Sequence, residues 1–526
     1  MPMDITTVKW PLFLLLTTSS LSLNAAEWQT VPKIYVEEMY SSNIERQRSD
    51  ETESFVTEVS PGFALQGLGA NFTAALNYAL TGIYYTDDSD AKTSYHKAHG
   101  NLAYSPWRPV TLYSTASYDQ AITNLDRGLS NDIVSRQGNV SDRQQLVVGT
   151  RYSNQHAGWM VVDSDVSYRW VKADDTGPDS FDNTESHTIQ FNTTQGDRWD
   201  RIFWVGQYDD MRESSDSEPS LHTRYGKAQL GYFVWQHLGV YARYSYDDNQ
   251  YSSVADNDQT LKSYGGGIRF STGPKLVVDL GYNSVIDGDE SDYWNASVNW
   301  NPTQLTSFYA DYDRRFYGES YALSLSHGTR KLQNSIQYKE SVTTFSQSGN
   351  GSIDADLWCP LGGGGSLNDC SFAQPNQPPP PGQEVVSESL PYSSVNNQAY
   401  LNKMWVWTTT LRLQKNTLLF NTYYSKREYG EQEPARSDEK TGGASLTLDT
   451  RLNERSSLDN RIVYRRFERD TESGDDTEWS IRSAYIRQLW PSTSANVAAE
   501  YNTRDSYNGG TDYDEFRLLA GIRSQF

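Results

Sequence analysis

The C-terminal stretch Glu515-Phe-Arg-Leu-Leu-Ala-Gly-Ile-Arg-Ser-Gln-Phe526 alternates between two kinds of position, with Leu519 as the exception. Phe516, Leu518, Ala520, Ile522 and Phe526 fall on one face; Arg517, Gly521, Arg523 and Gln525 fall on the other. Successive side chains of a strand point to opposite sides, so this pattern predicts a strand with one apolar and one polar face. The same dyad recurs along the chain. Val240, Ala242, Tyr244 and Tyr246 alternate with Tyr241, Arg243, Ser245 and Asp247, and Val278, Leu280 and Tyr282 with Asp279, Gly281 and Asn283. Trp294, Ala296, Val298 and Trp300 alternate with Asn295, Ser297 and Asn299. About 24 such segments follow residue 26, at about 21 residues per strand and connection, which suits strands of about 9–11 residues crossing a bilayer at a tilt.

The connections separate a membrane barrel from a soluble sandwich or propeller. Short ones, such as Ser105–Pro109, Gln155–Gly158, Gly196–Trp199, Gln236–Gly239, Asn301–Gln304 and Gln414–Asn416, alternate with mostly longer, acidic ones, such as Lys172–Glu185, Asp247–Gln259 and Asp470–Glu478. Trp107, Trp199, Trp235, Trp300 and Trp490 lie beside the short turns, as an interfacial girdle would. Backbone groups facing lipid must be satisfied within the protein, so the strands must close on themselves. The predicted fold is all-β: a transmembrane antiparallel outer-membrane β-barrel of about 24 strands (22–26 allowed), monomeric, with short turns and both termini on the periplasmic side.

Composition sharpens this picture. The 526 residues are 37% hydrophobic and 13% aromatic, with 36 Tyr and 15 Trp but only 6 Met and 2 Cys. No apolar run beyond the N-terminus approaches the roughly 18 residues of a spanning helix, and so many aromatic residues do not suit a solvated coil. Lys9, the apolar run Trp10–Leu16 and the small pair Ala25-Ala26 read as a secretory signal peptide over 1–26, leaving 27–526 as one barrel domain. A net charge of −22 argues against a nucleic-acid partner.

With the apolar face toward outer-membrane lipid, the polar face lines a lumen. It carries Arg151, Arg169, Lys227, Arg243, Arg269, Arg315, Arg412, Arg461, Arg465, Arg517 and Arg523, with Asp165, Asp279, Asp311, Asp313 and Asp449 among them. These charges can pair across strands, or the arginines can grip anionic groups while Tyr113, Tyr241 and Tyr309 offer sugar-contact faces. Gly265-Gly-Gly267 inside a strand reads as a bend or a close approach. No H-E-x-x-H, G-x-S-x-G or phosphate-cradling motif is present, and His96 and His99 fall on opposite strand faces. The reading is therefore not an enzyme, with no metal site and no cofactor. The acidic clusters at 287–292 and 470–478 lack EF-hand spacing and read as a solvated outer surface.

One segment breaks the alternation. The 53 residues Phe345–Asn397 hold Gly362-Gly-Gly-Gly365, Pro378-Pro-Pro-Pro381 and both cysteines, Cys359 and Cys370, which suit a local disulfide in an oxidising compartment. The segment is either a surface loop or a plug entering the lumen, and its length favours a functional role such as gating.

Three stretches carry a resemblance. They are Phe55-Val-Thr-Glu-Val-Ser-Pro-Gly62 followed by Ala74–Tyr85; Tyr321–Arg330 running on to Tyr338–Thr344; and Tyr400-Leu-Asn-Lys403 leading to Asn416–Tyr429. With the overall length and layout, they resemble the PEP-CTERM system-associated outer-membrane protein family. The resemblance implies a Gram-negative barrel associated with exopolysaccharide production, with exopolysaccharide and periplasmic polysaccharide-export proteins as partners. It supplies no catalytic or binding residues, and the cysteine-bearing insertion departs from its pattern. The expected function is thus a channel or accessory for exopolysaccharide export, with a small-solute porin and a structural sheath for a periplasmic partner as alternatives.

Overall fold

The computed structural model describes residues 26–88, 93–122, 132–136, 140–154, 158–174, 183–215, 221–251, 259–288, 291–344, 347, 352–360, 367, 370–372, 383–391, 399–429, 438–469, 474–507 and 511–526. Residues 1–25 of the expected signal peptide 1–26, and most of the acidic connections at 175–182, 252–258 and 470–473, lie outside them.

Twenty-four strands, from 10 residues (Thr306–Arg315) to 16 (Asp475–Trp490), form a single antiparallel ring. Each pairs with its neighbours in sequence, and the first, Glu27–Ser41, pairs with both Ser54–Leu68 and the last, Tyr513–Gln525. Closure removes the sheet edge that lipid could not satisfy. The transmembrane β-barrel expected from the alternation is the fold, at 24 strands.

Burial follows the dyad. Leu230, Ile268, Leu280, Trp294 and Leu518 are exposed on the outside, whereas their neighbours Gln229, Arg269, Asp279, Asn295 and Arg517 are buried inside. Leu519, the exception to the C-terminal alternation, points inward and packs with Met39, Ala484 and Ala498. Trp107, Trp235 and Trp490 are exposed beside the short turns, at the end that also carries both ends of the ring.

One sector is tightly bent. Between strands Ile202–Ser215 and Thr306–Arg315, inward side chains of non-adjacent strands touch. Arg243 bonds Asp313, and Gln229 reaches Asp279, although four and three strand steps separate these pairs around the ring. The glycines allow the bend: a side-chain carbon at Gly267 would lie 2.3 Å from the Leu280 carbonyl oxygen, and one at Gly265 2.2 Å from that of Tyr282. The Gly265-Gly-Gly267 run is therefore the close approach that the sequence suggests.

Candidate functional site: the lumen and the segment inside it

The inward charges fall into three groups. The first fills the bent sector. Arg269 holds Asp279 through two nitrogens at 2.7 Å, with its guanidinium 4.2 Å above the Phe203 ring. Arg243 lies 2.5 Å from Asp313, and Lys227 approaches the same carboxylate at 3.8 Å. Arg315 bonds Asp247 at 2.6 and 3.2 Å and covers the Tyr225 ring. Tyr241 is buried against Gly267 and Gly281. These groups face inward as the alternation requires, but they meet each other rather than open space. Bidentate guanidinium–carboxylate geometry with aromatic cover is how a dense interior tolerates charge.

The second group closes part of the long-loop mouth. Arg46, from the connection after the first strand, bonds Glu515 at 2.9 Å and Asp132 at 2.6 Å; Arg517 bonds the same two carboxylates, each at 2.6 Å. Burial alone would raise the Asp132 carboxyl, but Arg517 and Arg46 outweigh it and hold the group well below the usual carboxylate range. Ile44, Ile133 and Val134 carry the same loops onto the inward faces of Met39, Val56 and Ile83. Nearby, Arg465 bonds Glu478 at 3.2 Å.

The third group is spread over the remaining wall. Tyr113 donates to Asp165 at 2.7 Å, and Arg151 reaches the same carboxylate at 3.2 Å. Arg523 lies 5.2 Å over the Tyr35 ring, and Arg412 and Arg461 are inward and half-buried. Tyr309 faces inward, yet 41% of its surface is exposed, so its ring meets the lumen itself. Around it the wall is lined by hydroxyl and amide groups, among them Ser297, Asn299, Ser324 and Gln337.

The alternation-breaking segment lies against the inner wall. It leaves strand Leu332–Thr343 at the long-loop end, where Thr344 and Gln347 donate to Glu213 at 3.0 and 2.9 Å. Arg169 donates to the Gln347 carbonyl at 3.0 Å. Glu213 is eight strand steps from Leu332–Thr343, a third of the ring, yet Thr344 reaches it one residue beyond the strand, so the wall itself is drawn together here. Ser352–Pro360 and Gln383–Pro391 then pair as antiparallel strands, with Ser371–Phe372 alongside. Cys359 and Cys370 form a disulfide. Leu357 and both cysteines pack on Leu419, the Leu367 amide donates to Asp449 at 2.6 Å, and Gln66 donates to the Gln383 carbonyl at 3.2 Å. Leu419, Asp449 and Gln66 lie near the short-turn ends of their strands, so the segment descends most of the barrel's height. The described parts of the segment thus lie against inward residues of the ring. Glu213, Leu419 and Gln66 are the wall residues that sequence reasoning missed; nothing in a strand's alternation marks which inward residues will meet a distant segment.

Among the described residues, no group of three or more His, Cys, Asp or Glu is placed to hold a metal ion. At 287–292, Asp287 is paired with Lys262 at 2.8 Å and Asp292 accepts from the Val285 amide at 2.9 Å. His96 stacks between Tyr78 and Tyr118 on the outer face.

No described protein family and no curated relative matches the sequence. Among solved structures, the chain is similar to the siderophore receptor PirA from Acinetobacter baumannii at 11% identity and a TM-score of 0.40, over 94% of this chain and 80% of that one. It is also similar to the FrpB iron transporter from Neisseria meningitidis (9% identity, TM-score 0.43, 94% and 82% covered). A third is the copper transporter OprC (9% identity, TM-score 0.37, 95% and 81% covered).

Proposed function

We propose that the protein is an outer-membrane conduit whose wide lumen is controlled by the 345–397 segment, and that its cargo is an exopolysaccharide leaving the cell. The observation that carries the conduit reading is the seating of that segment inside the ring, with hydrogen bonds at the long-loop end (Glu213, Arg169) and near the short-turn end (Gln66, Asp449). A barrel of this circumference without a constriction would leak periplasmic solutes. A lumen occupied by its own chain suits a regulated path better than a constantly open porin. In this reading the short turns and both termini lie in the periplasm, and the long acidic connections lie outside.

The polysaccharide cargo rests on the family resemblance, and the wall near Tyr309 supports it. An exposed ring beside hydroxyl and amide groups, with the Asp311 carboxylate next along its strand, offers stacking and hydrogen bonding. Because the arginines of the bent sector are engaged by carboxylates of their own wall, Tyr309, whose ring is exposed to the lumen, becomes the leading path candidate.

Removing residues 350–392 tests the reading. Single-channel conductance in planar bilayers should rise severalfold, and cells should become sensitive to large antibiotics, with heat-modifiable migration of the folded barrel retained. Equal conductance would remove the plug. Unchanged polymer secretion on deleting the whole gene would remove the cargo. Cysteines placed at 178 and 471 should label on intact cells, whereas one at 304 should not.

A further inference from the structure

The two ends of the ring differ in charge. The eleven short connections hold eight Lys and Arg against three Asp and Glu, whereas the long connections, leaving aside the one between Thr343 and Tyr400, hold six against twenty-five. A chain of net charge −22 thus carries a cationic rim at its short-turn end. Cations of the other end are enclosed by carboxylates: Arg46 by Asp132 and Glu515, Arg136 by Asp87 and Glu45, Lys426 by Glu428 and Asp438.

Part of the rim is balanced where it stands. Asp197 and Asp200 share a turn with Arg198 and Arg201, and Glu454 sits beside Arg455. Lys275, Arg330, Lys331 and Lys415 have no acidic residue on their turns, as is true of Arg108 elsewhere on the ring. All four are exposed, and none is ion-paired among the described residues. Their turns follow one another around the ring, with only the uncharged Gln304-Leu305 turn between the first and the second. Backbone bonds of 2.6–2.7 Å stitch them side by side: the Lys275 carbonyl accepts from Asn301, that of Leu305 from Gly328, that of Lys331 from Arg412 and that of Lys415 from Arg451. The chain ends, Glu27 and the Phe526 carboxylate, are at the seam, five strand steps beyond Asn416–Glu428.

Exposed apolar side chains stand among these cations. Trp300 pairs with Leu276, next to Lys275; Leu305 lies on the intervening turn, and Leu413 begins the turn that ends in Lys415. Exposed Trp and Leu beside cations mark the layer where acyl chains give way to headgroups. We propose that this arc seats the phosphodiester headgroup of an anionic phospholipid in the leaflet at the short-turn end. Ammonium and guanidinium groups without carboxylate partners take a phosphate oxygen as a charge-assisted acceptor, whereas a zwitterionic headgroup brings an ammonium that the arc repels. The apolar neighbours favour a lipid over a soluble polyanion, which would leave Leu305 and Leu413 in water. On the reading that the short turns face the periplasm, the leaflet is the inner one of the outer membrane; the arc itself does not depend on that reading.

The test uses the full-length mature barrel in neutral detergent, where orientation plays no part, with native mass spectrometry against phosphatidylglycerol and phosphatidylethanolamine of the same acyl chains. The wild-type barrel should retain phosphatidylglycerol selectively at low ionic strength and lose the preference as salt rises. Arg330→Gln/Lys331→Gln should bind it about 25-fold more weakly, at about fivefold per cation removed, and adding Lys275→Gln/Lys415→Gln should abolish the preference. Lys262→Gln/Lys403→Gln/Lys426→Gln/Lys440→Gln removes as many cations from among carboxylates and should leave the preference unchanged. Heat-modifiable migration checks that each variant is folded. Equal retention of the two lipids by the wild type, an unchanged preference in the fourfold rim variant, or an equal loss in the lysine control would overturn the proposal. Arc-dependent binding of a soluble oligouronate, with no discrimination between the lipids, would overturn it in favour of a polyanion. Failure of the periplasmic orientation would appear instead in the cysteine labelling above.

Discussion

The bent sector and the plugged sector both fill the lumen beside them, but with different material. In the first, strands Ile202–Ser215 to Thr306–Arg315 fold their own side chains together, and Arg243, Arg269 and Arg315 find their carboxylates on the wall itself. In the second, the filler is a separate segment held by a few hydrogen bonds and a small apolar cluster around Leu419. The inward face of a strand therefore has no single meaning. Where curvature brings strands together it is core, and where the wall stays open it is a surface on which another segment packs.

If that contrast holds, the largest effects belong to the bent sector. Asp313→Ala leaves Arg243 and Lys227 without their shared carboxylate and should cost about 3–5 kcal/mol. Urea titration of the folded, heat-modifiable species should show it, and a loss under 1 kcal/mol would mean that the sector is wetter and looser than its geometry indicates. Gly267→Val forces a side chain onto the Leu280 carbonyl and should cost about 1–3 kcal/mol, with the same Gly281 neighbourhood disturbed. Conductance should hardly change, because no path runs there.

In the plugged sector the order reverses. Asp449→Asn weakens the bond from the Leu367 amide by about 1 kcal/mol. Barrel stability should be untouched while spontaneous openings in bilayer recordings become about fivefold more frequent. Unchanged gating with lowered stability would make this sector a second core.

The smallest effect is one of pH. Because the Asp132 carboxyl is held below its unfolded value, its contribution is fully present above about pH 4 and is lost only as pH falls through the lowered folded value. The loops pinned by Arg46 and Arg517 should therefore resist protease from neutral pH down to about pH 4. Asp132→Asn should expose them to cleavage throughout that range.

Much of this was legible in the chain, for a physical reason. Lipid on one side and water on the other impose a strict two-residue period, so the faces of Leu280 and Asp279, or Leu518 and Arg517, can be assigned residue by residue. The bend was legible only at Gly265-Gly-Gly267, where the missing side chains show that something comes close. That Arg243 would meet Asp313 was not legible, since the pairing depends on the curvature of five strands at once. The plug's position was hidden for a related reason: Phe345–Asn397 carries no period, and its partners on the wall are ordinary inward residues.

The closure of the ring has a consequence for its first strand. Glu27 pairs with Leu68 on one side, but on the other side the ladder to the last strand begins only at Lys33, opposite Gln525. Past that pair the seam holds one more bond, from the Phe526 amide to the Pro32 carbonyl. Among the described residues, Glu27–Val31, about 17 Å long, pairs on one side only, with Ala64–Leu68. The overhang contributes nothing to the seam. Trimming 27–31 should leave the ring closed, whereas shortening the chain from the opposite terminus would unpick it.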